Sequence, residues 1–434
     1  MLKILVAGAA LVAAPTPGPA QGRPLPDAVI AFVGVHVLPM DTNRILRDQT
    51  VIVRDGRIAE VGARSSVRVP ADARRIDAHG RWLMPGLADM HTHPQLVSDL
   101  PMYLRYGVTT VAHMGGSAQR WARVRDSVRA GQLPGPEVLV SVFLNGTGPG
   151  GGPPIAATVE DARRTVARGD SAGADFVKVY NTLTAEQFAA VMDEARRRRM
   201  PVMGHSVRAL GLEQGFAAGQ VAVAHAEEYI YGDRGIGVDT AQIARVAGFT
   251  RRAGAWVIPN LSAYSAIARQ WGRPAVIDTF LATEDARLLP EFWRERWRRS
   301  DYTGRPGNID ARTAFLVELT RALHRAGVPL LLGTDSPGIP GVQAGASIHD
   351  DIRLMLSAGL TPFEALAAGT RNAGQFVGRY FRNAEPFGVV AAGQRADLLL
   401  LAANPLEDVA VLKRPVGVMA RGRYFATEDL MRTR

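Results

Sequence analysis

Two histidines that share one face of a short strand are the first residues in this sequence with a clear chemical use. The largely apolar run 83–90 is followed directly by His91-Thr92-His93. Side chains alternate between the two faces of a strand, so His91 and His93 point the same way and Thr92 points away. Two imidazoles in this arrangement make half of a metal site. The alternative is a pair of unrelated polar residues at a strand end, and His-x-His alone does not decide between the two.

Polar residues recur at the ends of later apolar runs. His205 and His225 end two of these runs, Asp335 ends the last one, and Lys178 lies within the run 176–180. Imidazole and oxygen ligands suit divalent metals such as zinc. This recurrence shifts the interpretation strongly towards a metal site.

Lys178 is the least expected of these residues. The sequence contains three lysines, Lys3, Lys178 and Lys413, and otherwise uses arginine. A bare ammonium group inside an apolar strand is costly to bury. The alternative is a lysine at a strand edge whose ammonium reaches water. Because a chain that otherwise uses arginine keeps lysine at this position, we include Lys178 in the candidate site.

The elements that must position these residues are short strands that alternate with helices. The sequence has apolar runs at 86–91, 108–112, 138–142, 176–180, 201–205, 221–225, 256–259 and 330–335. Helical segments rich in arginine and alanine separate most of them, for example 158–171 and 184–199. This pattern predicts an α/β fold, a (β/α)8 TIM barrel, in which chemistry lies at the carboxyl ends of the strands. Four histidines, one lysine and one aspartate then occupy five strand ends.

Both ends of the chain are rich in strands, unlike the middle. Runs 28–35, 49–53 and 57–61 at the start, and 396–401 and 416–420 at the end, have strand character. The economical arrangement is one small β domain, a β-sandwich, built from residues 23–82 and 385–434. The barrel, residues 83–384, would be inserted between them.

The first 22 residues have the features of a signal peptide. Lys3 provides the positive charge, residues 4–14 form an apolar run too short to span a bilayer, and Gly18-Pro19-Ala20 is a small-residue cleavage site. No later run reaches the length of a transmembrane helix. We therefore expect an exported protein, periplasmic or secreted, without a membrane span.

Composition excludes several classes of site and partner. The chain has no cysteine, so disulfides, thiolate metal sites and a cysteine nucleophile are excluded. The formal charge of +10 comes from arginines scattered along the chain rather than grouped in a tail or stripe. We therefore expect a small-molecule substrate and no nucleic acid as partner. The oligomeric state stays open, a homo-oligomer included.

The combination of these residues resembles a known family. Residues 85–93, with Lys178 on strand four, His205 and His225 on strands five and six, and Asp335 on strand eight, resemble the amidohydrolase superfamily of metal-dependent hydrolases. The small β domain from both chain ends also matches, so the resemblance covers essentially the whole chain after residue 22.

Three short runs narrow the resemblance to one branch of that superfamily. Residues 177–180, 225–228 and 333–335 are similar to an exported branch described as Xaa-Pro dipeptidase-like or imidazolonepropionase-related. Imidazolonepropionase itself does not use a bridging lysine, so Lys178 argues against that activity.

The resemblance implies a site with two divalent metal ions, zinc being the expected metal. Lys178 would be carboxylated by CO2 to N6-carboxylysine, which turns a buried cation into an anion whose two oxygens can span two ions. The ligands of the first ion would be this carbamate, His91, His93 and Asp335, and those of the second the carbamate, His205 and His225.

The same resemblance implies a hydrolytic mechanism. A water that bridges two divalent ions loses a proton near neutral pH and becomes the nucleophile. Asp335 would take that proton as general base and pass it to the leaving nitrogen as general acid. One ion would polarise the scissile carbonyl.

Four further residues are candidates for substrate contact: Tyr180 and Tyr229 near predicted strand ends, His113 just after the second predicted strand, and His349 in the loop after the eighth. The long insertion at 262–308 contains the aromatic and arginine-rich segment 292–299. It is either a covering helix with solvated arginines or a lid whose arginine meets a substrate carboxylate.

The sequence thus predicts an exported binuclear metal-dependent hydrolase of C–N bonds. The expected substrates are dipeptides or N-acyl amino acids with a free carboxylate. One rival is an esterase, lactonase or organophosphate hydrolase on the same site, since the nucleophile does not require an amide. A rival of another class is a metal-free binding protein with this fold, against which the presence of all six ligand-type residues argues.

Overall fold

The computed structural model describes residues 29–148, 155–231 and 235–432, so the predicted signal peptide lies outside the described residues. The described strands, in chain order, are β1 (Val29–Val37), β2 (Leu46–Arg54), β3 (Arg57–Ala63), β4 (Arg74–Asp77), β5 (Trp82–Pro85), β6 (Leu87–Thr92), β7 (Val108–His113), β8 (Glu137–Leu144), β9 (Phe176–Val179), β10 (Val202–Gly204), β11 (Ala222–Ala224), β12 (Trp256–Ile258), β13 (Leu398–Leu401), β14 (Gly417–Ala420) and β15 (Arg423–Ala426). The described α-helices are α1 (Leu100–Arg105), α2 (Ala118–Arg129), α3 (Val159–Ser171), α4 (Ala185–Arg197), α5 (Leu212–Ala217), α6 (Ile243–Ala253), α7 (Leu261–Gln270), α8 (Val276–Leu281), α9 (Glu291–Arg298), α10 (Asp310–Arg325), α11 (Ile348–Ser357), α12 (Pro362–Ala368), α13 (Arg371–Tyr380) and α14 (Thr427–Arg432).

The predicted (β/α)8 barrel is confirmed. Strands β6 to β12 form one parallel sheet in which each strand pairs with the next along the chain. Segment 330–336 closes it: the Leu331 amide donates to Val257 on β12, and the Met90 amide on β6 donates to Leu332.

The eighth barrel position is not a regular strand, although residues 330–335 are predicted as one. The segment forms only isolated bridges, to β12 at Leu330 and to β6 at Ser336. Asp335 has a φ of 63°, in the left-handed region that non-glycine residues rarely adopt. This turn takes the backbone out of the strand and directs the end of the segment towards β6.

Helices α3 and α4 show why the predicted helical segments begin where they do. Thr158 and Thr184 precede them as N-caps, and each hydroxyl accepts a hydrogen bond from the amide three residues later. In turn, the side chains of Asp161 and Gln187 accept a hydrogen bond from the amide of the capping residue. Both helices therefore start with a capping box, which satisfies amides that the helix leaves free.

The small β domain built from both chain ends is also confirmed. One mixed sheet has the order β15-β14-β13-β5-β1-β2-β3, with β4 also paired to β1. Strand β5 belongs to this sheet through β1 and β13, so the terminal sheet extends to Pro85 rather than ending at residue 82. Buried Arg395 ties it to the barrel, since its guanidinium donates to Asp397 and to Thr110 on β7.

No helix of the described residues is long and apolar enough to cross a lipid bilayer.

Candidate metal centre

Three ligand-type side chains converge where β6 meets segment 330–336. One donor atom each of His91, His93 and Asp335 lies within 4.8 Å of the others. The Asp335 carboxylate is 3.0 Å from Nε2 of His93 and 3.4 Å from Nε2 of His91. The Asp335 amide donates to the His91 carbonyl at 2.7 Å, which fixes the two elements relative to each other. The predicted common face of His91 and His93 is present, with their Nε2 atoms 3.1 Å apart.

The two other histidines continue this cluster. The His225 ring centroid lies 4.6 Å from that of His91 and 4.8 Å from that of His205. His225 has a φ of 77°, so the backbone turns sharply at the end of β11. Its Nδ1 atom is buried and has no hydrogen-bond partner among the described residues. The cluster therefore holds a buried imidazole nitrogen that is free to bind a ligand.

Lys178 lies on β9 and is buried, close enough to His91, His205 and His225 for its charge to act on them. Its Nζ atom has no hydrogen-bond partner in the part of the chain that the structure describes. Burial lowers the pKa of Lys178 to about 8, although the Asp335 and Glu228 carboxylates oppose this. Gly204 makes room for the lysine stem, since a Cβ there would lie 2.8 Å from Lys178 Cδ and 2.4 Å from the Val179 carbonyl oxygen.

Buried polar residues position the side chains and backbone of the cluster through hydrogen bonds. Nδ1 of His205 donates to the Glu228 carboxylate at 2.5 Å. Asn260, two residues after the end of β12, lies with its side-chain oxygen 3.3 Å from Nδ1 of His91 and accepts from the His225 amide at 3.1 Å. Asp89 accepts from both the hydroxyl and the amide of Thr334.

Sequence reasoning did not identify Glu228 and Asn260 as site residues. Asn260 follows a predicted strand end directly, so the rule that located the histidines could have found it. Glu228 lies in the segment 225–228 that carries the family resemblance. Its partner His205 follows another strand, and no sequence spacing indicates which histidine Glu228 contacts.

The electrostatics of the cluster favour neutral imidazoles. Burial lowers the pKa of His225 to about 3 and holds those of His91 and His205 well below their usual range, with the Lys178 charge acting in the same direction. Neutral imidazole is the form that binds metal ions. For Asp335, burial acts to raise the pKa, but the hydrogen bond and charge of His93 outweigh it and give about 2.

The donor set therefore fits a metal centre. It offers imidazole nitrogens and a carboxylate, and it leaves Nδ1 of His225 and Nζ of Lys178 buried without partners among the described residues. Buried polar atoms without partners are rare and costly in folded proteins. Bound cations and a modified lysine would satisfy both atoms.

The candidate substrate contacts divide into two groups. Tyr180 lies at the cluster, with its ring centroid 4.2 Å from that of His205. His113 lies beside the cluster, where its Nε2 bonds the Pro94 carbonyl at 2.9 Å and its ring packs on Trp121. His113 thus supports the loop that follows His93.

The structure corrects the prediction for Tyr229 and His349. Tyr229 is buried in the helical core, where its hydroxyl bonds Thr250 on α6 at 2.8 Å, because it is the last residue of a short 3-10 helix that turns it away from the cluster. His349 lies on α11, and its Nε2 bonds the Tyr106 carbonyl at 3.0 Å. Neither residue lies at the candidate centre.

A cavity of about 630 Å³ is lined by residues of the cluster and of the insertion. His93 and Asp335 lie on one side of it. The insertion between β12 and segment 330–336 forms the other side, through Phe292, Arg296, Tyr302 and Arg305.

Helix α9 of the insertion is anchored on its inner face by two buried tryptophans. Trp293 Nε1 donates to Asp99 at 2.9 Å, and Trp297 Nε1 donates to the Pro337 carbonyl at 3.1 Å. Helix α9 therefore buries its tryptophans, while its exposed arginines include Arg296, which lines the cavity.

Comparison with known proteins identifies the family. The profile described as "Amidohydrolase family" matches residues 82–424, which span the barrel and strands β5, β13 and β14 of the terminal sheet.

Individual relatives match this chain over more than nine-tenths of its length. Ochratoxinase from Aspergillus niger is 24% identical over 472 aligned positions, covering 92% of this chain and 87% of the fungal protein. The solved structure of a bottromycin amidohydrolase is 26% identical with a TM-score of 0.71, covering 93% of this chain and 88% of that one. A prolidase solved with N-methylphosphonate-L-proline is 21% identical with a TM-score of 0.71, covering 92% and 99%; at that identity the likeness concerns the fold.

Proposed function

Because the chain belongs to the amidohydrolase family, we propose that it is a binuclear metal-dependent hydrolase that cleaves the amide bond of dipeptides or N-acyl amino acids. One observation carries the proposal. Lys178 has a buried Nζ with no partner among the described residues, and it lies close enough to His91, His205, His225 and Asp335 for its charge to act on all four. A lone ammonium group would be costly there, whereas two cations and a carboxylated lysine make the arrangement favourable.

The metal ligands would be the predicted ones. His91, His93 and Asp335 would hold one ion, His205 and His225 the other, and carboxylated Lys178 would contact both. When bound, the two ions would polarise the scissile carbonyl and acidify water, and zinc suits this set of nitrogen and oxygen ligands.

Asp335 is the residue placed to move the proton. Its carboxylate lies between the histidines and the cavity and keeps partial access to solvent. An ionised carboxylate there can accept a proton on the cavity side and deliver it to the amine that leaves. The His93 contact keeps Asp335 ionised and fixes its direction.

Carboxylation of Lys178 requires only CO2 and the neutral amine. The Nζ lone pair attacks the CO2 carbon, one proton leaves, and a carbamate anion results. The burial that lowers the pKa of Lys178 favours the neutral amine. The product places two oxygens where one nitrogen had no partner among the described residues.

The names of two relatives support an amide as substrate class. One is a bottromycin amidohydrolase and the other an ochratoxinase.

We also propose that residues 1–22 direct export. N-terminal sequencing of the protein recovered from the periplasm or medium should begin near Gln21. Recovery of the protein only inside the cells, with Met1 retained, would contradict export.

The proposed function is tested by loading the protein with zinc and offering it a panel of dipeptides, N-acyl amino acids and their carboxamides. Release of free amino acids, together with two zinc ions per chain, is the expected result. Turnover only of esters, lactones or phosphotriesters would move the substrate class to the rival hydrolase. Absence of bound zinc after loading would refute the enzyme.

A further inference from the structure

The part of the insertion that follows α9 presents an arginine that is held in place without an acidic partner. Arg305 is exposed, and its guanidinium lies 5.3 Å from the Trp271 ring centroid and 5.9 Å from that of Tyr302. Of the three arginines that line the cavity, Arg299 has a carboxylate within 4 Å, but no described residue provides one for Arg305 or Arg296.

The stacking arrangement prepares Arg305 for a planar anion. Aromatic faces attract the flat guanidinium and restrict its rotamers while its N–H edges stay available. Trp271 is itself fixed, because its Nε1 donates to the Pro306 carbonyl at 2.9 Å. Less side-chain entropy is then lost when the guanidinium binds a carboxylate through two parallel hydrogen bonds.

Tyr302 brings a second donor to the same place. Burial, with a further contribution from the Asp335 charge, raises the pKa of Tyr302 to about 12, so the phenol stays protonated at neutral pH. Both residues line the cavity that His93 and Asp335 enter. A substrate whose amide lies at Asp335 can therefore extend towards Tyr302 and Arg305.

The charged residues of the cavity wall are unevenly distributed. Arg296, Arg299 and Arg305 line the cavity together with Glu295, Asp301 and Asp335. Arg299 lies 3.9 Å from Glu295, so this pair largely cancels. Arg296 and Arg305 then remain against Asp301 and Asp335, and both arginines belong to the insertion, so an anionic group of a substrate would be bound on that side.

We propose that Arg305 and Tyr302 form the subsite that binds the free carboxylate of the substrate's leaving amino acid, and that this pair makes the enzyme selective for amides bearing such a carboxylate. The inference rests on the proposed function, since it places the scissile amide at Asp335. It assigns substrate selectivity to the insertion rather than to the strand ends that carry the metal ligands.

The test compares N-acetyl amino acids with their carboxamides. In the wild-type zinc enzyme the acids should be preferred. Arg305→Gln should raise KM for the acids about 10- to 100-fold, the value of charge-assisted hydrogen bonds, and leave KM for the carboxamides and kcat nearly unchanged. Tyr302→Phe should have a smaller effect in the same direction.

Arg298→Gln is the matched control, because Arg298 is an arginine of the same insertion that pairs with Glu291 and does not line the cavity. It should leave both substrates unaffected. Equal turnover of acids and carboxamides by the wild-type enzyme, or an equal loss of both in Arg305→Gln, would overturn the inference.

A binding measurement separates this inference from the proposed function. Calorimetry compares N-acetyl-L-phenylalanine and N-acetyl-L-phenylalaninamide on protein without added zinc, where no turnover is needed. Weaker binding of the acid alone in Arg305→Gln supports the subsite even if no amide is hydrolysed. Equal affinities of the two compounds for the wild-type protein would refute it.

Discussion

The Glu228 carboxylate accepts a hydrogen bond from Nδ1 of His205 at 2.5 Å, although the two residues follow different strands. This bond commits the proton of the imidazole to Nδ1 and leaves the Nε2 lone pair free for a metal ion. Glu228→Gln keeps an acceptor but removes its charge. We expect metal affinity and kcat to fall about 10- to 100-fold, as measured by zinc titration and turnover.

Glu227→Gln provides the control for this substitution. It makes the same chemical change one residue earlier, where the carboxylate contacts Tyr231 and Arg312 rather than a histidine of the cluster. Zinc affinity should be retained in this variant. An equal loss in both variants would show that the effect does not pass through His205.

Lys178→Ala should abolish activity. Loss of the proposed bridging carboxylate would remove a ligand from both ions, on which several kcal/mol of transition-state stabilisation would depend, so kcat should fall about 1,000-fold or more. Short carboxylic acids such as formate should restore part of it by occupying the space of the carbamate.

Lys413→Ala is the comparison for this variant, because Lys413 is the other lysine of the described chain and pairs with Asp285 at 2.6 Å, away from the cluster. Two zinc ions and normal turnover are expected there. Full zinc content and activity in Lys178→Ala would rule out a bridging lysine.

The barrel could be predicted because its strands are short apolar runs that alternate with amphipathic helices, a local signal. The boundary between the two sheets could not. Residues 82–92 form one largely apolar stretch, yet β5 belongs to the terminal sheet and β6 to the barrel. Gly86 lies at the change, where a Cβ would come within 2.2 Å of the Thr109 hydroxyl. That contact joins segments distant in sequence, so it is not visible in the sequence.

The position of the histidines and Lys178 could be predicted because strand ends of one barrel meet at one face. Tyr229 and His349 show the limit of the same rule. Tyr229 lies five residues beyond the end of β11, within a 3-10 helix, and His349 lies 14 residues beyond the predicted eighth strand, on α11; both helices turn the side chains into the core. Distance along the chain from a strand end therefore indicates proximity to the site only while the backbone stays extended.

The anchoring of α9 predicts that Trp297 influences the reaction without contacting substrate. Its indole donates to the Pro337 carbonyl, two residues after Asp335. Trp297→Phe leaves this buried carbonyl unsatisfied, which costs about 1–3 kcal/mol, and frees the segment that carries Asp335. We expect lower stability in urea and a reduced kcat with unchanged KM.

Trp293→Phe is the comparison. It removes the corresponding bond to Asp99 and should reduce stability with a smaller effect on kcat. Equal losses of kcat would mean that α9 acts as a whole.

Burial of His349 predicts a pH-dependent contribution to stability that is separate from the reaction. Burial lowers the pKa of His349 to about 4, and the Lys413 and Arg353 charges add to this, while the bond to the Tyr106 carbonyl and the Asp285 charge oppose it. In the unfolded chain the pKa is near 6.5. Between pH 6.5 and 4 the unfolded state therefore binds more protons, so the stabilisation present above pH 6.5 is lost as the pH falls.

The size of this effect follows from the shift in pKa. Relative to His349→Gln, the wild-type protein should lose about 3 kcal/mol of unfolding free energy between pH 7 and pH 4. Urea unfolding of both proteins across this range measures the difference, and groups common to both cancel. Parallel stability curves would show that His349 becomes protonated as easily in the folded protein as in the unfolded chain.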